Sequence, residues 1–256
     1  MCTIAFLVDI VPEASLVIAA NRDELYARPT RSPERLGPQM AGGVDVLSGG
    51  TWLAVRKDGR FAAVTNQRAL STPPAGLRSR GLAVKELASA EDPDQYVHDL
   101  DPTRYASMNL AWGDARGVSI AYGRQEGALD VVRLTRGVHV LCNDKLGSAG
   151  FPRGERLHHA IDVLVAKQLP LGALLDGLGA ALGDHTRVPL ADTPPSHLPP
   201  ELGRELTAVC IHSENYGTRS ATLFAAGRAG ALAYRASDGR PCTNPFIDRI
   251  SLLEAP

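Results

Sequence analysis

The chain has 256 residues, 44% of them hydrophobic and 21% charged, a composition that supports a substantial core and excludes extensive disorder. Its 27 basic and 28 acidic residues leave a formal net charge of −1, so no partner among nucleic acids or anionic membranes is expected. The four cysteines, Cys2, Cys142, Cys210 and Cys242, are too scattered for a disulfide scaffold or a C-x-x-C ribbon, which points to a reducing, cytoplasmic compartment and to no metal site.

The opening Met-Cys-Thr-Ile-Ala-Phe-Leu-Val-Asp lacks a basic leader and its apolar run stops at Asp9, so no signal peptide is expected. No later stretch approaches the roughly 20 apolar residues of a membrane helix, so no integral membrane association is expected either. Cys2 to Val11 and Ser15 to Ala20 are apolar and β-branched around Pro12-Glu13-Ala14, which predicts a hairpin. From Leu25 to Met40 proline, arginine and glycine accumulate and periodicity vanishes, which predicts a long functional loop. Thr51 to Arg56 and Arg60 to Thr65 flank Lys57-Asp58-Gly59, a second hairpin signal.

Ser79 to Ala90 places Leu82, Val84, Leu87 and Ala88 at helical spacing behind a capping serine, and Pro93 to Leu100 reads as a short second helix. Met108 to Gly113, Val118 to Arg124, Ala128 to Leu134 and Val138 to Cys142 predict a meander of four strands. Gly154 to Gln168 and Leu171 to Leu182 are helical, separated by Pro170. After a proline-rich loop from Val188 to Pro200, strands return at Thr207 to His212, Arg219 to Ala225 and Ala231 to Arg235. The order strands, helices, strands, helices, strands in one domain over residues 1–256 suits an α+β fold. A four-layer αββα sandwich of mostly antiparallel sheets accommodates it, as would other α+β layouts.

Cys2 carries the first chemical signal. Removal of the initiator methionine leaves a thiol beside a free α-amine, which titrates near ~7.7–8.0 and is a built-in base for an N-terminal nucleophile. By position alone, Cys2 reads first as a small hydrophobe opening a buried strand, and context has to overturn that reading. The context is Ala19-Ala20-Asn21-Arg22-Asp23-Glu24-Leu25-Tyr26-Ala27-Arg28-Pro29, where four polar residues in succession follow an apolar strand. With Met-Cys at the start, this segment resembles the signature of the NRDE family, also called the transport and Golgi organisation protein 2 family. Gly49-Gly50-Thr51-Trp52-Leu53, Thr65-Asn66, Ser79-Arg80-Gly81, Leu141-Cys142-Asn143 and Tyr216-Gly217-Thr218-Arg219 resemble the family's other blocks in the same order.

The resemblance implies an N-terminal-nucleophile-hydrolase-like αββα sandwich. By analogy with the choloylglycine hydrolase and penicillin V acylase family on the same fold, Arg22 and Asp23 are expected beside Cys2. Asp23 would hold the α-amine and Arg22 would favour the thiolate, although a buried ion pair tying the hairpin to the loop explains the same two residues. Asn66 and Asn143 follow strands and, by the family alignment, are expected to donate to an oxyanion; as isolated asparagines they would simply cap turns. Arg219 is expected to orient the site or to lie solvated at a strand end.

Two functions follow from the resemblance. One is hydrolysis of a C–N bond in a small molecule, needing no cofactor. The other is a non-catalytic carrier of haem or another hydrophobic ligand in the same cleft, since some members of the family are linked to haem trafficking. Seven histidines are present, but neither Cys210 and His212, two apart on one predicted strand, nor His158-His159 forms a haem motif. H-E-x-x-H and G-x-x-x-x-G-K are absent. Oligomeric state is left open by the sequence.

Overall fold

A computed structural model of the chain describes residues 2–68, 74–196 and 198–254. Met1 and His197 lie outside the described residues. The first hairpin pairs β1 (Cys2–Val11) with β2 (Ala14–Leu25) in an antiparallel register that sets Cys2 opposite Arg22 and Ile4 opposite Ala20. The second strand therefore runs five residues beyond its predicted end, and the Asn-Arg-Asp-Glu motif is strand, not loop.

The expected loop from Leu25 to Met40 is largely β3 (Thr30–Gly37), hairpinned to β4 (Met40–Asp45). Arg31, Pro33, Glu34 and Arg35 hide it from pattern reading, because an edge strand tolerates charge and proline where a central strand does not. The register shifts between Arg31 and Glu34 around that proline. β5 (Leu53–Arg56) and β6 (Phe61–Asn66) follow as predicted, then α1 (Arg80–Ser89), whose first turn is capped by the Ser79 hydroxyl accepting from the Gly81 N–H. α2 (Pro93–His98) follows.

The expected four-strand meander holds for β7 (Met108–Asp114), β8 (Gly117–Gly123) and β9 (Leu129–Arg133). The fourth strand, β10 (Gly137–Leu141), leaves that sheet and pairs with β1. α3 (Pro152–Ala166) and α4 (Leu171–Leu182) match their periodicity. A short α5 (Pro200–Glu205) precedes β11 (Tyr216–Gly227), β12 (Gly230–Ser237) and β13 (Phe246–Asp248).

The predicted strand Thr207 to His212 is instead a buried irregular segment with a single bridge from His212 to Gly217. Its apolar residues are buried as expected, but its backbone groups find other partners. Cys210 N–H donates to Asp184 O, Ile211 N–H to the Thr218 hydroxyl, and Val209 O accepts from the Asn21 side chain.

Two antiparallel sheets result, in the orders β10-β1-β2-β11-β12-β13 and β3-β4-β5-β6-β7-β8-β9. Strand alternation builds the layers. Ile4, Phe6, Val8, Leu16 and Ile18 meet Leu53, Val55, Phe61 and Ile120 of the facing sheet. Ala5, Leu7, Val17 and Ala19 on the opposite face meet Leu157, Ile161, Leu174 and Leu178 of α3 and α4. The outer face of the second sheet, with Ala62, Val64 and Leu110, is covered by Ala83, Val84 and Leu87 of α1. The fold is the four-layer αββα sandwich, and β1 and β2 read as continuous apolar runs because both their faces are buried.

Candidate active site

The same alternation sorts the motif residues. Cys2, two residues before Ile4, and Arg22, two after Ala20, share the face between the sheets, directly opposite one another. Asn21 and Asp23 fall on the helix-facing side, continuing Val17 and Ala19. Asn21 spends its amide there as a strut, donating to Leu182 O and Val209 O, both at 2.9 Å.

Cys2 and Arg22 open into a cleft of about 380 Å³, within the range of small-molecule sites. Burial pushes the Cys2 thiol above the usual thiol range and the Asp23 carboxylate adds to that, while the Asp23 backbone N–H and the Arg22 charge act in the other direction. Arg22 is itself held below its ordinary value by burial. Its guanidinium lies over the Trp52 ring at 4.2 Å and donates to the Thr30 hydroxyl at 3.0 Å, so two contacts fix its plane.

Asp23 is fully buried and accepts from the Thr218 hydroxyl at 2.6 Å, with the Arg153 guanidinium 4.0 Å away. Burial raises its pKa against the pull of Arg153. Burial also opposes the charge on Arg153, but Cys142 and Asp23 outweigh it and hold the guanidinium above its ordinary value. Arg153 is therefore the cation that acts most strongly on Asp23, a role that the motifs assigned to no residue. A signal was available: Arg153, Leu157 and Ile161 stand at i, i+4 and i+8 on α3, which puts the arginine on the buried stripe.

The two asparagines separate. Asn66 closes β6 and lines the cleft with Cys2. Asn143 is buried one layer behind it; its amide donates to the Asn66 carbonyl at 2.6 Å and its Oδ1 accepts from Arg153. Arg219 is also outside the cleft lining. It donates to the carbonyls of Leu25, Tyr26 and Arg28, and so gathers the turn that follows the motif. Of the six predicted residues, Cys2, Arg22, Asp23 and Asn66 line one cleft, and Asn143 and Arg219 hold the segments that carry it.

Arg80, which was not singled out, enters the cleft from the start of α1, held by the Ser107 carbonyl. The glycines of two motif blocks place it: a Cβ on Gly50 would stand 2.4 Å from the Gly81 carbonyl carbon, so only glycine lets β5's approach and α1 touch. Arg28 pairs with Asp45 at 2.7 Å and Arg78 with Glu86 at 2.5 Å. Among the described residues Arg22 and Arg80 have no carboxylate within 4.0 Å, and Glu24, which lines the same cleft, acts on both from farther away.

A family model described as transport and Golgi organisation 2 matches residues 1–235. The human transport and Golgi organization protein 2 homolog is 29% identical over 91% of both chains, and the cattle protein of that name 30% over the same shares. Among solved structures, conjugated bile acid hydrolase from Clostridium perfringens aligns over 100% of this chain and 95% of its own, with a TM-score of 0.57 at 12% identity. A Caenorhabditis elegans orthologue of N-acylethanolamine-hydrolyzing acid amidase aligns over 91% and 99%, with a TM-score of 0.50 at 9% identity. At such identities these two likenesses show the fold alone. No helix among the described residues is long and apolar enough to cross a membrane.

Proposed function

Because the chain belongs to the transport and Golgi organisation 2 family and carries a cysteine at position 2 in the cleft of an N-terminal-nucleophile-like fold, we propose that it is a cysteine N-terminal-nucleophile hydrolase of a C–N bond in a small anionic amide. The observation that carries this reading is Cys2 at the open end of β1, opposite Arg22 and lining one cleft with Asn66.

In this reaction Met1 is first removed. The Cys2 α-amine takes the thiol proton, and the thiolate attacks the amide carbonyl carbon to give a tetrahedral oxyanion. The ammonium returns the proton to the leaving nitrogen, the C–N bond breaks, and an acyl thioester remains. Water, deprotonated by the same amine, then releases the carboxylic acid and restores the thiol. The Asn66 amide donates to the oxyanion, with Asn143 fixing the position of Asn66 through its carbonyl. Asp23, held by Arg153 and Thr218, anchors the ammonium, and Arg22 favours the thiolate. The amide nature of the substrate rests on the fold neighbours, which are an acid amidase and a conjugated bile acid hydrolase. Its negative charge rests on Arg22 and Arg80. A charged cleft of about 380 Å³ suits such a ligand better than a haem macrocycle, so the carrier reading takes second place.

The test is intact mass of the purified protein before and after a thiol-directed acylating probe, with peptide mapping. Loss of Met1 and one adduct on Cys2, absent in Cys2→Ala, are expected, followed by turnover in a screen of carboxylate-bearing amides. Retained Met1 with an unreactive Cys2 would overturn the reading and favour ligand carriage, to be tested with haem and lipid binding.

A further inference from the structure

A second cluster of reactive side chains lies behind the motif strand, on the helix-facing side. The Cys210 Sγ is 3.4 Å from His212 Nε2 and 3.7 Å from Cys242 Sγ, and His212 Nε2 is 3.2 Å from Cys242 Sγ. His185 lies on the other side: one donor atom each from His185, His212 and Cys242 lies within 4.8 Å of the others, and the exposed His185 must swing toward Cys210 to close the group. We infer that Cys210, His212, Cys242 and His185 form a tetrahedral site for one zinc ion, separate from the Cys2 cleft.

The three edges among Cys210, His212 and Cys242 are those of one face of a coordination polyhedron. Zinc–sulfur bonds of about 2.3 Å and zinc–nitrogen bonds of about 2.0–2.1 Å at tetrahedral angles require donor separations of about 3.8 Å for S···S and about 3.6 Å for S···N. The three measured edges fall within a few tenths of an ångström of those values. Two thiolates and two imidazoles also suit zinc and exclude calcium or magnesium, which take oxygen donors. Two thiolates balance the charge of the ion, and the exposed His185 gives it an entry path.

The ligands come from three segments that the backbone already fastens together. Asp184 O accepts from Cys210 N–H at 2.8 Å, which ties His185's segment to the buried run. The Ile211 N–H donates to the Thr218 hydroxyl at 2.9 Å, and His212 bridges Gly217, which seats the run on β11. Gly183, at the end of α4, packs so closely that an added Cβ would lie 3.2 Å from the Cys242 Cα. The turn carrying Cys242 is closed by Arg240 O, which accepts from the N–H groups of Thr243 and Asn244. Asn21 reaches Leu182 O and Val209 O in these same segments, so a bound ion would brace the layer on which the motif strand rests. No spacing motif announced the site, because the four ligands are spread from position 185 to 242.

The test uses the full chain, reduced, stripped with a chelator and titrated with Co²⁺ and then Zn²⁺. One Co²⁺ per chain is expected, with thiolate-to-cobalt charge-transfer bands and the intense visible bands of tetrahedral cobalt, displaced by one Zn²⁺. Zinc at about a hundredfold over its Kd should raise the thermal midpoint by roughly 5–10 °C. Cys242→Ser and the exposed His185→Ala should each weaken zinc binding by at least about tenfold, the scale at which even supporting residues of metal sites act, with unchanged circular dichroism. Octahedral or absent cobalt spectra in the wild-type chain would overturn the inference, as would zinc affinity indifferent to both variants. A Cys210–Cys242 disulfide, read as a two-hydrogen mass loss that persists in stoichiometric zinc, would also overturn it and assign the pair to redox chemistry.

Discussion

Replacing Arg153 by Met tests the electrostatic centre of the site. The guanidinium is buried, faces the fully buried Asp23 at 4.0 Å, and donates to Asn143 Oδ1. A methionine of similar length fills the volume but removes one cation, leaving the Asp23 carboxylate inside the protein with less positive charge against it. Breaking a buried pair on one side costs about 3–5 kcal/mol. For a chain of this size that corresponds to a fall in thermal midpoint of roughly 6–20 °C. Adding Asp23→Asn removes the charge left behind, and the amide oxygen it introduces can still accept from the Thr218 hydroxyl. The double variant should therefore be more stable than Arg153→Met alone, with a coupling of about 1–3 kcal/mol. Guanidinium unfolding of the wild type, both single variants and the double variant gives the cycle. Strict additivity, or an Arg153→Met loss below about 1 kcal/mol, would refute the pairing of Arg153 with Asp23.

Burial holds the Cys2 thiol above the usual range, so only a small thiolate fraction exists at neutral pH. Alkylation of Cys2 in chain that retains Met1 should rise about tenfold per pH unit from pH 7 to 9 without a plateau, followed by peptide mass spectrometry; a plateau near pH 7 contradicts that. Asn66→Ala should lower kcat for any amide substrate by ~10²- to 10³-fold while Kd for the product acid stays within a fewfold. Asn21→Leu strands two buried carbonyls and should cost about 2–4 kcal/mol in denaturant unfolding while leaving the Cys2 labelling rate unchanged. Arg219→Ala releases three carbonyls of the turn at Leu25 to Arg28, and limited chymotrypsin digestion should show cleavage after Tyr26 accelerated by about tenfold.

The layered architecture was legible because its signals are local. The continuous apolar runs of β1 and β2 announce strands buried on both faces, Ser79 announces the start of α1, and Pro170 announces the break between α3 and α4. Edges and supports were not legible in the same way. β3 carries Pro33 and three charges since one of its sides faces no strand, so it mimics a loop. Thr207 to His212 has a strand's composition, yet its hydrogen bonds go to Thr218, Asn21 and Asp184, partners that only the folded chain brings near. Of the motif residues, Arg22, Asp23 and Asn66 line the Cys2 cleft while Asn143 and Arg219 lie outside it, because side-chain position depends on parity along the strand. Asn143 lies behind Asn66, and Arg153 was overlooked because an arginine in an amphipathic helix is normally assigned to solvent.

The pairing order of the first sheet sets a timetable for synthesis. β1 and β2 form a local hairpin at once, but β1's other neighbour ends at Leu141 and β2's other neighbour, β11, ends at Gly227. At about 5–20 residues per second, β11 leaves the ribosome roughly 10–40 s after β2. Until β11 emerges, the edge of β2 away from β1 stays open even after β10 has covered the edge of β1. The hairpin is the segment a ribosome-associated chaperone would hold, and the interval is also when a processing aminopeptidase has free access to the residue before Cys2. Once β11 docks, the hairpin becomes the middle of the sheet, so of its two strands the one that carries Arg22 and Asp23 is the last to be enclosed.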